Sequence, residues 1–356
     1  MMTSRERVMT ALAHERPDRP PLNFFGTSEV WTKLKQHLRL ETDEEVRLHM
    51  GSDMRYVAPT YVGPTQFSGL LGFGCGSTDV WGTVWQAVDV GSAVYNEVVY
   101  HPLATATGLD DLRNHAWPEV DWFDVSQLKE QIRDLSRTGE YAIVYSMGNL
   151  IETAWAMRGF EQFLMDLVVA PEMAEFLLEK VTTFLEELTA RAIEAAGEDI
   201  DIIWSAGDIA GQDGMLFSPE RWRELVKPRY RRLIEPYRSM GLKPRYHTDG
   251  SMLPVIEDLI EMGLDLLDPI QPNTPGMDPE NLARLFAGRL AFYGGIDTQG
   301  LLPFGNPEQV EQEALRYIGT LGKNGGYVLA ASNAIQPDVP VENILTLFRT
   351  AREYRY

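Results

Sequence analysis

Polar side chains follow five apolar runs in the second half of the chain, each at the point where the run ends. Because the catalytic sites of parallel α/β barrels lie at the carboxyl ends of their strands, these positions are the first candidates for chemistry. The set combines one imidazole with carboxylates and amides, which suits metal binding, proton transfer or the binding of a polar ligand. Its members are Asp208, His247, Asp249, Gln271, Asp297 and Asn333.

The run that ends at His247 has the most informative spacing. Strand alternation places Arg245, His247 and Asp249 on one face, so an imidazole and a carboxylate would meet at the strand end. This pair could bind a divalent metal together with a ligand from a neighbouring strand, or act as a base and its orienting carboxylate. A structural histidine bonded to a neighbouring strand is the third alternative. We therefore treat His247, Asp249 and Asp208 as candidate catalytic residues, and His247 with Asp249 as candidate metal ligands.

The remaining candidates are expected to hold a substrate. Asp208 opens a glycine-containing loop that includes Gln212, which favours a functional loop over a simple turn. Gln271 and Asn333 carry amides, which position ligands but do not transfer protons. Asp297 could contact substrate or cap the following helix. Trp155 could form an apolar wall for a flat ligand, or it could pack between a helix and the sheet.

Alternating strand and helix patterns position these residues. Eight apolar runs predict strands at 22–25, 54–58, 141–146, 202–206, 243–247, 264–268, 290–295 and 327–331. Helical patterns are predicted at 3–12, 161–167, 171–195, 219–239, 252–261, 278–286, 307–321 and 341–352. Strands that alternate with helices form parallel sheets, and eight of them favour a closed (β/α)8 TIM barrel over an open sheet. We expect a single domain over residues 1–356.

Two local patterns refine this expectation. Thr3 and Glu6 have the spacing of a capping box, which predicts a helix N-terminus at Thr3. Residues 60–125 fit no strand–helix repeat and are predicted to be an insertion on the mouth side of the barrel. The glycines at 69–76 lack the spacing of a dinucleotide-binding fingerprint, and a turned mouth loop is favoured there.

Composition and charge exclude several classes of protein. The chain has 356 residues, 44% of them apolar, and a net charge of -20, which disfavours nucleic acid and anionic membranes as partners. Its one cysteine, Cys75, excludes internal disulfides and zinc sites that need two thiolates. We found neither a secretory signal nor an apolar run long enough to span a membrane, so a cytoplasmic location is expected.

Ten short segments have a familiar pattern: Arg5–Val8, Pro17–Pro21, Leu109–Leu112, Trp117-Pro118, Gly207-Asp208, Leu216–Pro219, Tyr246–Gly250, Gly294–Gln299, Asn333–Gln336 and Pro340–Asn343. Together they resemble uroporphyrinogen decarboxylase-like proteins, and the resemblance extends over nearly the whole chain. It implies a (β/α)8 barrel and one of two chemistries: decarboxylation of uroporphyrinogen without a cofactor, or methyl transfer to or from a corrinoid carried by a partner protein, usually with zinc.

The chain departs from both patterns of that family. An arginine pair of the decarboxylases is replaced by the arginine-free segment 25–31, and their aspartate falls at about Thr60. Their late histidine falls at about Asn333 and their tyrosine near Trp155. In the zinc-dependent coenzyme M methyltransferases a His-x-Cys pair and a later cysteine stand where this chain has His247, Asp249 and about Asn333. Without the arginines, an octacarboxylate loses its main counter-charges, so uroporphyrinogen turnover is not expected.

The preferred interpretation is methyl transfer between a small methylated substrate and a corrinoid protein, with zinc at His247 and Asp249. A His/Asp site suits activation of a methoxy oxygen better than of a thiol. The alternatives are a decarboxylase of a porphyrinogen or a smaller carboxylate, which would need no cofactor, and a catalytically silent barrel that binds a ligand or partner. A homodimer is the remaining candidate assembly.

Overall fold

The structure is a computed structural model, and it describes residues 2–69, 76–89 and 94–356. The glycine-rich segment singled out in the sequence and the cysteine at position 75 fall largely outside these residues. Within the described part of the chain, no helix combines the length and apolar character needed to cross a membrane.

A curled parallel sheet of seven strands forms the centre of the molecule, in the order β1-β6-β7-β8-β9-β10-β11. Two antiparallel pairs, β2 with β5 and β3 with β4, lie outside it. The strands are β1 (Met54–Val57), β2 (Thr60–Tyr61), β3 (Val84–Asp89), β4 (Val94–Tyr100), β5 (Phe123–Asp124), β6 (Ala142–Asn149), β7 (Ile202–Ala206), β8 (Lys243–His247), β9 (Leu266–Ile270), β10 (Ala291–Gly294) and β11 (Tyr327–Val328).

Helices connect successive strands of the central sheet, as the alternating pattern predicts. They are α1 (Ser4–Leu12), α2 (Ser28–Leu38), α3 (Asp43–Met50), α4 (Leu109–Arg113), α5 (Leu128–Leu135), α6 (Ile151–Arg158), α7 (Phe160–Val169), α8 (Pro171–Ala196), α9 (Pro219–Arg221), α10 (Lys227–Ser239), α11 (Ile256–Glu261), α12 (Pro279–Phe286), α13 (Leu301–Phe304), α14 (Pro307–Thr320) and α15 (Val341–Glu353). A π-helical turn, Trp222–Val226, interrupts the helix predicted over 219–239.

Side-chain caps fix several helix starts. The Thr3 hydroxyl accepts from the Glu6 amide while the Glu6 carboxylate accepts from the Thr3 amide, so the predicted capping box is present. Thr42 and Glu45 form a second box at α3, which the sequence analysis had not singled out. This cap sets the start of a helix that carries a side chain into the functional site.

The predicted first strand, 22–25, is wrong in extent. Leu22 forms an isolated parallel bridge with Leu329, and its carbonyl accepts from the Asp53 amide at 2.7 Å. Phe24 donates its amide to the Ser52 side chain instead of to a neighbouring strand. The predicted eighth strand is likewise reduced to β11. The central sheet therefore has seven strands, with single bridges where an eighth was expected.

Residues 60–125 form a connection between β1 and α5 that contains both antiparallel pairs and α4. This segment contacts the region after β6, since the Leu103 amide donates to the Met157 carbonyl at 2.9 Å. Arg158 donates to the Leu103 and Ala106 carbonyls at 2.6 and 2.9 Å and pairs with buried Asp166. A buried arginine thus attaches this segment to α6 and α7.

Candidate functional site

The register of β7 and β8 brings three predicted residues together. Ala206 pairs with His247 across the two parallel strands, and Asp208 and Asp249 each follow two residues later. Strand geometry therefore places the two carboxylates side by side beyond the imidazole. Each of Asp208, His247 and Asp249 offers one ligand atom, and these three atoms lie within 4.8 Å of one another.

Hydrogen bonds hold the two carboxylates in place. Asp208 Oδ1 accepts from the Asp249 amide at 2.8 Å, and Asp249 Oδ2 accepts from Asn333 Nδ2 at 2.7 Å. The Asp208 amide donates to Glu152 Oε1 at 2.6 Å. Asn333, from the chain after β11, thereby reaches the residues that follow β8.

Asp268, from β9, orients the imidazole from the other side. His247 pairs with Asp268 in the β8–β9 register, and His247 Nδ1 lies 3.3 Å from Asp268 Oδ2. That oxygen also accepts from Arg245 Nε at 2.9 Å and Trp204 Nε1 at 3.0 Å. A carboxylate on one ring nitrogen fixes the orientation of the ring and leaves the other nitrogen for a ligand.

The neighbouring charges shift the pKa values of the site. Burial alone would lower the pKa of His247, but the charges of Asp268, Asp249 and Asp208 raise it to about 9. Burial raises the pKa of Asp249 to about 6, against the attraction of His247. Burial and then the charge of Asp208 raise the pKa of fully buried Glu152 to about 8. Without a metal ion, the neighbouring carboxylates therefore favour the protonated imidazole.

An aromatic cavity of about 360 Å³ adjoins the imidazole. Such a volume is at the small end of the range for ligand pockets. His247, Arg245, Asp268 and Asn333 line one part of it, and Arg47, from α3, also lines it. The aromatic side chains of its wall are Phe24, Phe25, Trp31, Tyr56, Trp204 and Tyr293.

A second cavity, of about 240 Å³, is lined by polar residues. It is bordered by the predicted Asp249, Gln212, Gln271, Asp297 and Asn333. Asp249 and Asn333, which are joined by their hydrogen bond, lie at its wall, and Asn333 also lines the aromatic cavity. Asn333 therefore lies between the two cavities, and its role in holding a ligand stays a prediction.

Two of these residues also have structural contacts. Gln271 Oε1 accepts from the Gly250 amide at 2.9 Å. Asp297 accepts from the Gln299, Gly300 and Leu301 amides at 2.9–3.1 Å, so it caps the turn that leads into α13 while bordering the polar cavity.

Trp155 lies on α6 with its ring 5.8 Å from that of Phe160, and it is not among the described residues that line either cavity. Four further residues of the site have no role predicted from the sequence: Asp268, Glu152, Arg47 and Arg245. Asp268 and Arg245 could have been found as charges at buried positions of adjacent strands.

The donor set fits a divalent metal ion. One imidazole and two carboxylates are ligands that zinc accepts, and three protein ligands leave a coordination position for substrate. Each candidate ligand has one atom held by another group: His247 by Asp268, Asp208 by the Asp249 amide, and Asp249 by Asn333. Bonds of this kind orient metal ligands in many sites.

Comparisons with known proteins agree with this architecture. The family model "Uroporphyrinogen decarboxylase (URO-D)" matches residues 97–354. A uroporphyrinogen decarboxylase of Thermus thermophilus is 25% identical over 258 residues, which is 69% of this chain and 69% of that protein. One from Chlorobium phaeovibrioides is 23% identical over 192 residues, covering 51% and 50% of the two chains.

A solved structure described as a methyltransferase from Methanosarcina mazei superposes with a TM-score of 0.69. It covers 99% of each chain at 18% sequence identity, which establishes similarity of fold. The match over most of the chain, together with the curled parallel sheet, shows that this protein belongs to the uroporphyrinogen decarboxylase (URO-D) family.

Proposed function

We propose that this protein transfers a methyl group from a small O-methylated compound to a corrinoid carried by a partner protein. The observation that carries the proposal is the cluster of Asp208, His247 and Asp249, whose ligand atoms lie within 4.8 Å beside an aromatic cavity. A metal site next to a small apolar pocket suits activation of an ether oxygen.

The residues around the site would have distinct roles in that reaction. Asp208, His247 and Asp249 would hold a divalent ion, which is zinc in the preferred form of the proposal. Asp268 orients His247, and Asn333 orients Asp249. When bound, the ion would supply Lewis-acid polarisation of the substrate oxygen and so weaken its bond to the methyl carbon.

The cavity wall would contribute by positioning the substrate and excluding water. Trp204 and Tyr293 are held by hydrogen bonds to Asp268 and Asn23, at 3.0 and 2.8 Å. A wall fixed in this way loses little conformational entropy when a flat ligand binds. The carbon–oxygen bond would break as the methyl carbon takes an electron pair from the reduced corrinoid of the partner protein. The old bonding electrons would stay on the substrate oxygen, which would take up a proton.

Decarboxylation is the second candidate, because the similar curated proteins are named uroporphyrinogen decarboxylases. The cavity of about 360 Å³ favours a substrate much smaller than a porphyrinogen with eight carboxylates. Of its two arginines, Arg245 is already paired with Asp268 at 2.8 Å. These observations favour a small substrate under either chemistry, and an accessible cavity argues against a catalytically silent barrel.

We also propose how the rest of the chain surrounds the site. The bridges Leu22–Leu329 and Gly26–Ile335 would complete a closed (β/α)8 barrel, and residues 60–125 would cover its mouth as part of one domain. The corrinoid protein would approach from that side. A homodimer remains a proposal of the sequence analysis.

Elemental analysis of the purified full chain, with and without added zinc followed by dialysis, tests the metal site. We expect wild type and His37→Ala, an exposed histidine, to retain up to one divalent ion per chain, and His247→Ala to lose it while keeping its circular dichroism spectrum. Equal metal content in His247→Ala and wild type would contradict the proposed ligand set. Methyl transfer from methoxylated compounds to a corrinoid protein is then the direct assay.

A further inference from the structure

Arg47 carries a positive charge into the aromatic cavity without a close partner. Its guanidinium carbon lies 4.8 Å from the centre of the Trp31 ring, and its Nη1 is 3.8 Å from Glu44 Oε2. Among the described residues, the Arg47 side chain donates no hydrogen bond within normal distance, although it is only 32% exposed. An arginine side chain that is largely buried normally has its hydrogen-bond donors satisfied.

The charges around α3 leave Arg47 uncompensated. Glu44 is engaged by Arg55, whose Nε and Nη2 lie 2.9 and 2.7 Å from its carboxylate oxygens. Asp43 pairs with Lys35 at 2.7 Å. Glu45, the third acidic residue of α3, accepts from the Glu41 and Thr42 amides. Among the described residues, the 3.8 Å contact with Glu44 is therefore the one ion pair of Arg47.

The other charged groups that line the cavity already have partners. Arg245 pairs with Asp268 at 2.8 Å, and His247 Nδ1 lies 3.3 Å from the same carboxylate oxygen. Arg47 is therefore the lining cation whose charge is free to attract a ligand with one negative charge.

The aromatic wall of the cavity favours a flat, apolar ligand body. Trp31 is held by a bond from Nε1 to the Gly26 carbonyl at 2.9 Å and packs edge-on against Phe24. The Tyr56 hydroxyl is held by Asn23 and Arg245, at 2.8 and 2.9 Å. Rings fixed in this way form stacking and edge contacts with an aromatic ligand at low entropic cost.

We propose that the substrate is a small aromatic compound with one carboxylate, and that Arg47 binds this carboxylate while the ring occupies the aromatic cavity. The ligand's methoxy group would then face His247. The assignment of the methoxy group rests on the proposed function, whereas the recognition of the aromatic carboxylate rests on Arg47 and the cavity alone. Arg47 is in this sense a specificity-determining residue.

Binding measurements on the full chain test this without requiring turnover. Each of the three methoxybenzoate isomers is titrated by calorimetry or by quenching of tryptophan fluorescence, and each is compared with the matching uncharged methoxybenzamide. Loss of a charged hydrogen bond weakens binding by about 10- to 100-fold. We expect at least one isomer to bind about 10- to 100-fold more tightly than its amide.

Variants identify the residue responsible. Arg47→Gln should abolish the preference for the carboxylate while leaving affinity for the amide within about threefold, because uncharged contacts with the wall remain. Arg47→Lys, which keeps the charge, should restore part of it. Arg113→Gln, an exposed arginine paired with Asp110 within α4, is the matched control and should bind like wild type.

The outcomes separate this inference from the proposed function. Equal binding of benzoate and amide, no binding of either, or an unchanged preference in Arg47→Gln would overturn the inference, even if the protein bound zinc and transferred methyl groups. A preference that depends on Arg47 in a protein with neither metal binding nor methyl transfer would support the inference and contradict the proposed function alone.

Discussion

Replacing Asp268 with asparagine removes the only carboxylate in contact with Arg245 among the described residues. Both side chains are nearly inaccessible to solvent, at 4% and 3%, and Arg245 Nη2 lies 2.8 Å from Asp268 Oδ2. The substitution keeps the shape of the side chain and removes its charge. Arg245 would retain the Tyr56 hydroxyl at 2.9 Å and the face of the Tyr293 ring at 3.9 Å, neither of which carries a charge.

The expected loss follows from the burial of this pair. Leaving one partner of a buried ion pair uncompensated costs about 3–5 kcal/mol. An unfolding entropy of about 2.1 cal/mol/K per residue gives roughly 0.75 kcal/mol per degree for a chain of this length. Asp268→Asn should therefore lower the melting temperature by about 4–7 °C.

Thermal unfolding followed by circular dichroism measures this loss, and two variants calibrate it. Asp265→Asn removes a carboxylate whose contact with Lys243 is longer, 3.4 Å, and more exposed, so a clearly smaller loss is expected. Combining Arg245→Met with Asp268→Leu removes both charges and should recover most of the stability. A melting temperature for Asp268→Asn within about 1 °C of wild type, or a double variant no more stable than the single one, would refute the reasoning.

Two further predictions concern packing and acid stability. A Cβ on Gly207 would lie 1.8 Å from the Tyr230 hydroxyl oxygen. Gly207→Ala should therefore be destabilised by roughly 1–3 kcal/mol in denaturant unfolding, and adding Tyr230→Phe should recover part of that loss. An unaffected Gly207→Ala would contradict the close contact. Burial alone would raise the pKa of Asp18, but its hydrogen bonds and charge contacts with Arg7 lower it. Asp18 therefore stabilises the fold above its unfolded-state pKa, and this stabilisation is lost as the pH falls through its folded-state pKa. Asp18→Asn should therefore flatten the acid limb of stability against pH, and an unchanged limb would show that Asp18 does not contribute to it.

Most of the central sheet was predictable because its strands are buried on both faces. Seven of the eight predicted runs overlap observed strands. Most of them are continuous apolar stretches, which are typical of parallel strands, whereas β8 has the sequence Lys-Pro-Arg-Tyr-His. The run at 22–25 failed because an apolar stretch next to Pro20-Pro21 shows that a segment is buried and not whether it forms a ladder. Only Leu22 makes a bridge there among the residues described.

The candidate site was partly predictable for a related reason. His247 and Asp249 share a strand end, so alternation placed them together, and the strand-end rule supplied Asp208 and Asn333. Arg47 could not be found this way, because its position depends on how α3 packs against the sheet. Glu152 was equally hidden, since nothing in a helical sequence shows that its carboxylate accepts from the amide of Asp208.

Part of the cavity wall lies outside the segment that contains the candidate metal ligands. The family pattern matches residues 97–354, which include Asp208, His247 and Asp249, whereas Arg47 and Trp31 precede it. On the proposals above, a substitution at either of the latter two positions would alter what the cavity accepts and leave the candidate ligands unchanged. Substrate range and chemistry would then be encoded in separate segments of the chain, as expected of a fold that serves many reactions.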